Sequence, residues 1–233
     1  MGSIRRPHYM GESPAAHVNW LELNRCPHAV HFYSSEEFLV DSLSQFIGTA
    51  LEAGDSSFVF ATQEHLEGIA DRLDAQGTDT DAAIKKGRYA TFDAAQALAQ
   101  LTVDGELNRR SFDEFVRGVV LPLKAAAKSK PQRVAACGEI VALLWAQGQA
   151  VAAIQLEHWW NELAGQGCYS FRCFYPVASF SDARQNELFL KLCAEHACVI
   201  PHAAHSAQLA DEERLPQLAA DVTRFETAGM TAR

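Results

Sequence analysis

The feature that most constrains this chain is a repeated two-part pattern, in which a short apolar run ends at a helix-capping hydroxyl and apolar residues at helical spacing follow. His28–Tyr33 reads as a strand, and Ser34-Ser35-Glu36-Glu37 places a capping box behind it, with Ser34 as N-cap and Glu37 at N3. Phe38, Leu39, Leu43, Phe46, Ile47 and Leu51 then recur at helical spacing up to Gly54. Residues 57–61 form a second strand, continuously apolar as parallel-sheet strands are. Thr62 caps a helix through Leu66, Ile69, Ala70 and Leu73 to Gly77, and a short helix over 79–86 leads to a third strand, 89–92, ending at Asp93. Strands alternating with helices of this length require crossover connections. The expected fold is therefore α/β: three layers, with a mostly parallel sheet and helices on both faces.

Ser111-Phe-Asp-Glu114 offers another capping box, opening a helix through Phe115, Val119 and Leu123 with Pro122 as a kink or break. The most distinctive stretch is 133–176. It holds three of the four tryptophans, three of the six cysteines, and the carboxylates Glu139 and Glu157 in apolar surroundings. It reads as a strand over 133–137 broken by Gly138-Glu139, an apolar helical turn over 140–146, a helix over 150–164 and a strand over 169–175. A last helix is expected over 182–196. On the helix 150–164, Ala152, Leu156, Trp159 and Leu163 form a core stripe, and Gln155, His158 and Glu162 face solvent. The remaining flank carries Ala150, Ala153, Ile154, Glu157, Trp160 and Asn161. A carboxylate buried there must be paired, hydrogen-bonded or protonated. Two readings stay open: Glu157 and Asn161 tie the helix to a neighbouring backbone, or Glu139, Glu157, Trp160 and Asn161 line a pocket for a small polar or aromatic ligand.

Composition narrows the function classes. A formal net charge of −9 argues against nonspecific binding to nucleic acid or to an anionic membrane, since both need basic surface. No apolar run reaches the length of a membrane span and the N-terminus lacks a signal-peptide core, so a cytoplasmic protein is expected. Residues 1–25 read as a flexible arm, 26–201 as one domain, and 202–233 as a helical tail. In that tail Leu215, Leu218, Val222 and Phe225 could dock on the domain or pair with another copy. The six cysteines show no paired framework and are expected as reduced thiols. Cys193-Ala-Glu-His196-Ala-Cys198 fits no common zinc spacing, so no metal is expected.

Catalytic signatures are equally sparse. The loop after the first strand, 33–36, has neither the glycines nor the Lys-Ser/Thr pair that cradle phosphates. No GxSxG, HExxH or GxGxxG occurs. A nucleophile and base could be drawn from Cys137 or Cys173 with His28, His31 or His196, but nothing in the sequence brings them together. A non-catalytic chain without a cofactor is expected.

Several motifs resemble one family. They are His28-x-x-x-Phe32-Tyr33, the 58–62 strand with Glu64-His65, Phe92-Asp93-Ala94, Asp104-Gly105, Gly138-Glu139-Ile-Val-Ala-Leu-Leu-Trp145, Leu156-Glu157-x-x-Trp160-Asn161-x-Leu163-Ala164, Cys173-x-Tyr175-Pro176 and Cys193-x-x-His196-x-x-Val199. Together they resemble the MEDS domain, the sensory domain of methanogen and methylotroph regulators, similar to the sensory domain of a dichloromethane-responsive repressor. The resemblance spans about 26–201. It implies a RecA-like α/β fold with a degenerate phosphate loop and a role in sensing a small molecule, such as a simple hydrocarbon derivative, in prokaryotic signal transduction. Such domains are commonly fused to a kinase or a helix-turn-helix. Neither is recognised in this sequence, so the expected output runs through a signalling partner, a homodimer or the tail. The ligand site expected on these grounds comprises Glu139, Trp145, Glu157, Trp160 and Asn161, with His28, Tyr33 and Tyr175 from adjacent strands. The alternative is a protein–protein interaction module, acting on a kinase or transcription factor, in which the Glu-Trp-Asn group is structural.

Overall fold

A computed structural model of the chain describes residues 8–9, 26–180 and 186–200. The elements in order are β1 (His8–Tyr9), β2 (His28–Tyr33), α1 (Glu36–Glu52), β3 (Ser56–Ala61), α2 (Gln63–Ala75), α3 (Thr80–Lys85) and β4 (Tyr89–Asp93). They continue with α4 (Ala94–Leu101), a hairpin of β5 (Thr102–Val103) and β6 (Glu106–Leu107), α5 (Arg109–Phe115), a π-helical stretch (Val116–Val120) and α6 (Leu121–Ala126). The chain then forms β7 (Val134–Gly138), α7 (Ile140–Ala146), α8 (Ala150–Ala164), β8 (Tyr169–Pro176), a 3-10 turn (Val177–Phe180), α9 (Asn186–Ala194) and β9 (Cys198–Ile200). The main sheet has the order β1-β9-β2-β8-β7-β3-β4, and every pairing in it is parallel.

Strand alternation sorts the core into two layers. Val59, Ala61, Ala135, Cys137 and Phe174 point to the face covered by α1, α2 and α3, where Leu39, Leu43, Ile47, Ile69 and Leu73 are buried. Phe58, Phe60, Ala136, Phe171, Cys173 and Tyr175 point to the opposite face, against residues of α4 to α9. The three-layer parallel α/β fold expected from the sequence is the fold found.

Several local expectations shift. The N-cap of α1 is Ser35 and not Ser34: Ser35 has extended backbone angles and its Oγ accepts from Phe38 N at 3.4 Å. The helix opened by Ser111 begins earlier, at Arg109, because Asn108 leaves the β5–β6 hairpin in extended conformation and its Oδ1 accepts from Ser111 N at 3.1 Å. The break expected at Pro122 is spread over Val116–Val120, whose wider π turn precedes the proline that lacks an N–H. The last helix ends at Ala194, two residues before the expected 196, and its expected first residues, 182–185, lie outside the described set.

The expected arm, 1–25, contributes His8–Tyr9 as the sheet-edge strand, paired to Cys198 and Val199. Its other residues, and the tail with its heptad-like apolar positions, lie outside the described residues. Not all cysteines are reduced. Cys26 and Cys198 form a disulfide with Cα atoms 6.2 Å apart, while Cys137, Cys168, Cys173 and Cys193 are free. The β2–β9 register explains this pairing, since it sets Cys198 opposite Ala29, three residues beyond Cys26. Among the described residues no helix is long and apolar enough to cross a membrane.

Candidate functional site

Two buried carboxylates organise the polar interior. Glu157, in the middle of α8, is fully buried and points at the sheet. Its Oε1 accepts the Tyr175 hydroxyl at 2.9 Å, and its Oε2 accepts the Cys173 thiol at 3.0 Å. His28 Nε2 lies 3.2 Å from the same Oε2 and 3.5 Å from Cys173 Sγ. His196, in the turn between α9 and β9, brings its Nε2 to 3.4 Å from Oε2. Its Nδ1 is 2.8 Å from the Leu192 carbonyl, a contact only an N–H can make favourably. The backbone supplies this convergence: β2 and β8 run parallel with Val30 opposite Cys173, and Ala197 N donates to His28 O at 2.9 Å.

Burial sets the protonation of the group. It pushes the Glu157 carboxyl upward, but His196 and His28 beside it outweigh that and hold it below the usual carboxylate range. Desolvation, with His196 adding to it, lowers the His28 imidazole to about 4 against the opposing pull of Glu157. Burial, then the neighbouring Glu157 charge, raises the Cys173 thiol well above its ordinary value, and the Tyr175 phenol likewise.

The second centre lies at the carboxyl ends of β2, β3 and β7, on the other face of the sheet. Glu139 occupies the N-cap position of α7 and is 4% exposed. Its Oε1 accepts from Thr62 N at 2.9 Å, and His65 Nδ1 lies 2.9 and 3.0 Å from its two oxygens. His65 Nε2 reaches Glu36 Oε2 at 2.8 Å, so the imidazole bridges two acids and its pKa is raised, chiefly by the Glu139 hydrogen bond. Tyr33 packs nearby, its phenol pushed up by burial and by the charges of Glu139 and Glu36. Gly138 makes the turn possible. It adopts φ 148°, and a Cβ there would stand 2.1 Å from the Phe60 carbonyl oxygen.

The eight residues expected to line one pocket are thus divided. His28, Glu157 and Tyr175 meet directly, and Trp145 touches Tyr175 edge-on at 6.2 Å between ring centroids. Glu139 and Tyr33 form the separate centre at the strand ends. Trp160 packs among Phe58, Phe60, Phe112, Phe115 and Phe171, within the aromatic core. Asn161 is half-buried at the helix margin. Beside Trp160 is a space of about 20 Å³, lined mostly by apolar side chains with Cys137, Arg172 and Cys173, with room for one water but not an organic ligand. A larger cleft of about 340 Å³ opens at the amino ends of the strands, among Pro27, Phe46, Asp55, Arg133 and Tyr169.

Cys173 and His196 were absent from the expected site. Both stand in the motifs Cys173-x-Tyr175-Pro176 and Cys193-x-x-His196-x-x-Val199, so the signal was present, but spacing alone does not reveal that they converge. The 193–198 trio does not act together: Cys198 is bridged to Cys26, Cys193 is a free buried thiol, and only His196 reaches the Glu157 cluster. His65, Glu36 and Thr62 were likewise missed as partners of Glu139.

Comparison with solved structures finds a KaiC-like protein from the hyperthermophilic archaeon Pyrococcus horikoshii, at 15% identity and a TM-score of 0.45, covering 71% of this chain and 70% of that one. Comparison with curated proteins finds no match. A profile of the family described as the methanogen/methylotroph, DcmR sensory domain matches residues 27–190, which take in β2 to β8 and both carboxylates, with His196 of the Glu157 cluster beyond the matched range. The chain therefore belongs to the MEDS family of sensory domains.

Proposed function

We propose that this chain is a non-catalytic sensory domain that binds a small molecule in prokaryotic signal transduction and passes the event to a signalling partner or a second copy. The observation that carries this reading is the wiring of Glu157. One fully buried carboxylate is held by side chains from β2, β8 and the α9–β9 turn, so a change at that group is felt where the chain leaves the sheet. Simple hydrocarbon derivatives suit the surroundings, because Trp145, Tyr175 and Phe180 form an aromatic layer beside the cluster, with centroids 4.8 to 6.2 Å apart.

Two features argue against chemistry. Of the candidate nucleophiles and bases, Cys173 is brought together with His28 and His196, but all three are buried and the thiol is raised, the reverse of an activated nucleophile. At the N-terminus of α1, Glu36 and Glu37 fill the first turn where a phosphate would need positive potential. Thermal-shift screening of small alcohols, organic acids and halocarbons should find a stabilising compound whose effect is lost in Glu157→Gln. A panel with no stabiliser, or a stabiliser indifferent to that change, sinks the reading.

The packing of Trp160 within the aromatic core favours one competitor, an interaction module in which the Leu-Glu-x-x-Trp-Asn segment is structural. That competitor requires a protein partner captured equally with and without the stabilising compound.

A further inference from the structure

We propose that His28 Nε2, His196 Nε2, Glu157 Oε2 and Cys173 Sγ are the four ligands of a buried divalent transition-metal site of the zinc class. The four ligand atoms all lie within 4.8 Å of one another. Four of the six edges are 3.2 Å between His28 and Glu157, 3.4 Å between His196 and Glu157, 3.0 Å between Cys173 and Glu157, and 3.5 Å between Cys173 and His28. Tetrahedral zinc with nitrogen, oxygen and sulfur ligands has edges of about 3.3 to 3.7 Å. The remaining two edges, from His196 to His28 and to Cys173, are within 4.8 Å, so small side-chain rotations bring the cluster to the required size.

His196 gives the sharpest sign. It is 97% buried, being 3% exposed, and its Nε2 makes no hydrogen bond. With Nδ1 committed to the Leu192 carbonyl at 2.8 Å, a neutral ring must present the bare Nε2 lone pair toward a carboxylate oxygen. Two lone pairs facing each other in a dry interior are repulsive, and a cation between them removes the repulsion. An imidazole N–H anchored on a backbone carbonyl, with the other nitrogen aimed inward, is the usual setting of a metal-bound histidine.

Charge and position agree. Glu157 and a deprotonated Cys173 together carry two negative charges, which neutralise a divalent cation, so the loaded site is buried without net charge. Two imidazoles, a thiolate and a carboxylate are a borderline-soft donor set suited to zinc, and also to cobalt. Tyr175 holds the second Glu157 oxygen at 2.9 Å and orients the carboxylate. With four protein ligands the site is closed, and it would fasten α8, β2, β8 and the α9–β9 turn to one another. Binding releases the Cys173 proton to solvent. The inference stands on these side chains alone and does not depend on an organic ligand being found.

The test uses the full chain. Elemental analysis of the purified protein should return close to one zinc per chain, and reconstitution of chelator-stripped protein with Co²⁺ should give the thiolate-to-cobalt charge-transfer band and the intense visible absorption of a tetrahedral ion. Cys173→Ser should abolish the charge-transfer band, and Tyr175→Phe should retain it while weakening Co²⁺ affinity about 10- to 100-fold. Should Cys173→Ser fail to fold, the wild-type cobalt spectrum and zinc content still decide. Substoichiometric zinc with no cobalt band, or a band that persists in Cys173→Ser, overturns the proposal. A thermal-shift panel without an organic stabiliser would sink the small-molecule reading and leave the metal result standing.

Discussion

The Tyr175 hydroxyl donates to Glu157 Oε1 at 2.9 Å, linking the end of a central strand to the middle of the helix that covers it. Both residues are fully buried, so this hydrogen bond has no water to replace it. Tyr175→Phe leaves one carboxylate oxygen without that donor, and the expected loss is about 1 to 3 kcal/mol in unfolding free energy. Urea titration of the two proteins reads it directly. A change within a few tenths of a kcal/mol would mean that Oε1 has another partner.

Trp160 is expected to behave as a core residue. Its ring lies 4.7 Å from Phe112 and 5.1 Å from Phe171, between centroids, in a well-filled aromatic layer. Trp160→Ala should cost about 3 to 5 kcal/mol, with Trp160→Phe retaining part of it. A mild effect on stability alongside the loss of a stabilising ligand would return Trp160 to the binding site.

The His65 bridge gives stability a definite pH dependence. The Glu139 hydrogen bond is the largest of several influences that raise its pKa, with burial opposing and the charges of Glu139 and Glu36 assisting. A raised folded-state value means that the contribution is fully present below the unfolded pKa of about 6.5 and fades as pH rises through the folded value. The melting temperature of wild type minus that of His65→Gln should therefore be larger at pH 6 than at pH 9. An equal or inverted difference would show that the imidazole is neutral in the bridge.

Gly138 should tolerate no side chain. A Cβ at 2.1 Å from the Phe60 oxygen meets backbone that is itself paired, since Glu139 N donates to that carbonyl at 3.0 Å. Gly138→Ala is expected to cost at least about 3 kcal/mol or to prevent folding, read by circular dichroism and chemical unfolding.

The disulfide is open to a simple count. Denatured protein kept from reductant should expose four titratable thiols and six after reduction, because only Cys26 and Cys198 are bridged. Loop closure over a separation of 172 residues limits the stabilising contribution to about 5 kcal/mol. Six thiols before reduction would remove the bridge from the molecule.

The sequence carried the architecture further than the site. Helix α8 was legible to its end residues, because Gly148 and Gly165 flank an uninterrupted run of helix-compatible residues. Its buried face is wider than the expected stripe, of which Leu156, Trp159 and Leu163 are buried as read. The periodicity favoured Ala152, which is half-exposed, whereas Ala153 and Glu157 are fully buried facing the sheet, and Trp159 is also covered, by Phe112. A helix in the outer layer of a three-layer fold is covered by neighbouring helices as well as the sheet, and a single stripe does not describe that. Glu157 itself was readable, since a carboxylate among small apolar residues needs a partner. Which partner was not: His28 and Cys173 lie 145 residues apart, and only strand order and register bring them to one point. The disulfide was hidden for the same reason.

The ladder between β7 and β8 pairs Gly138 with Cys173. One of these residues precedes the acid at the N-cap position of α7, and the other touches the acid in α8. Gly138 also pairs with Phe60 in the β3–β7 ladder, so this rung is held from both sides. The sheet here acts as a rigid spacer between two proton-holding centres on its opposite sides. Any displacement of β8 that accompanies a change at Glu157 must carry the cap of α7 with it, so the Tyr33–His65–Glu139 edge is where such a change would surface.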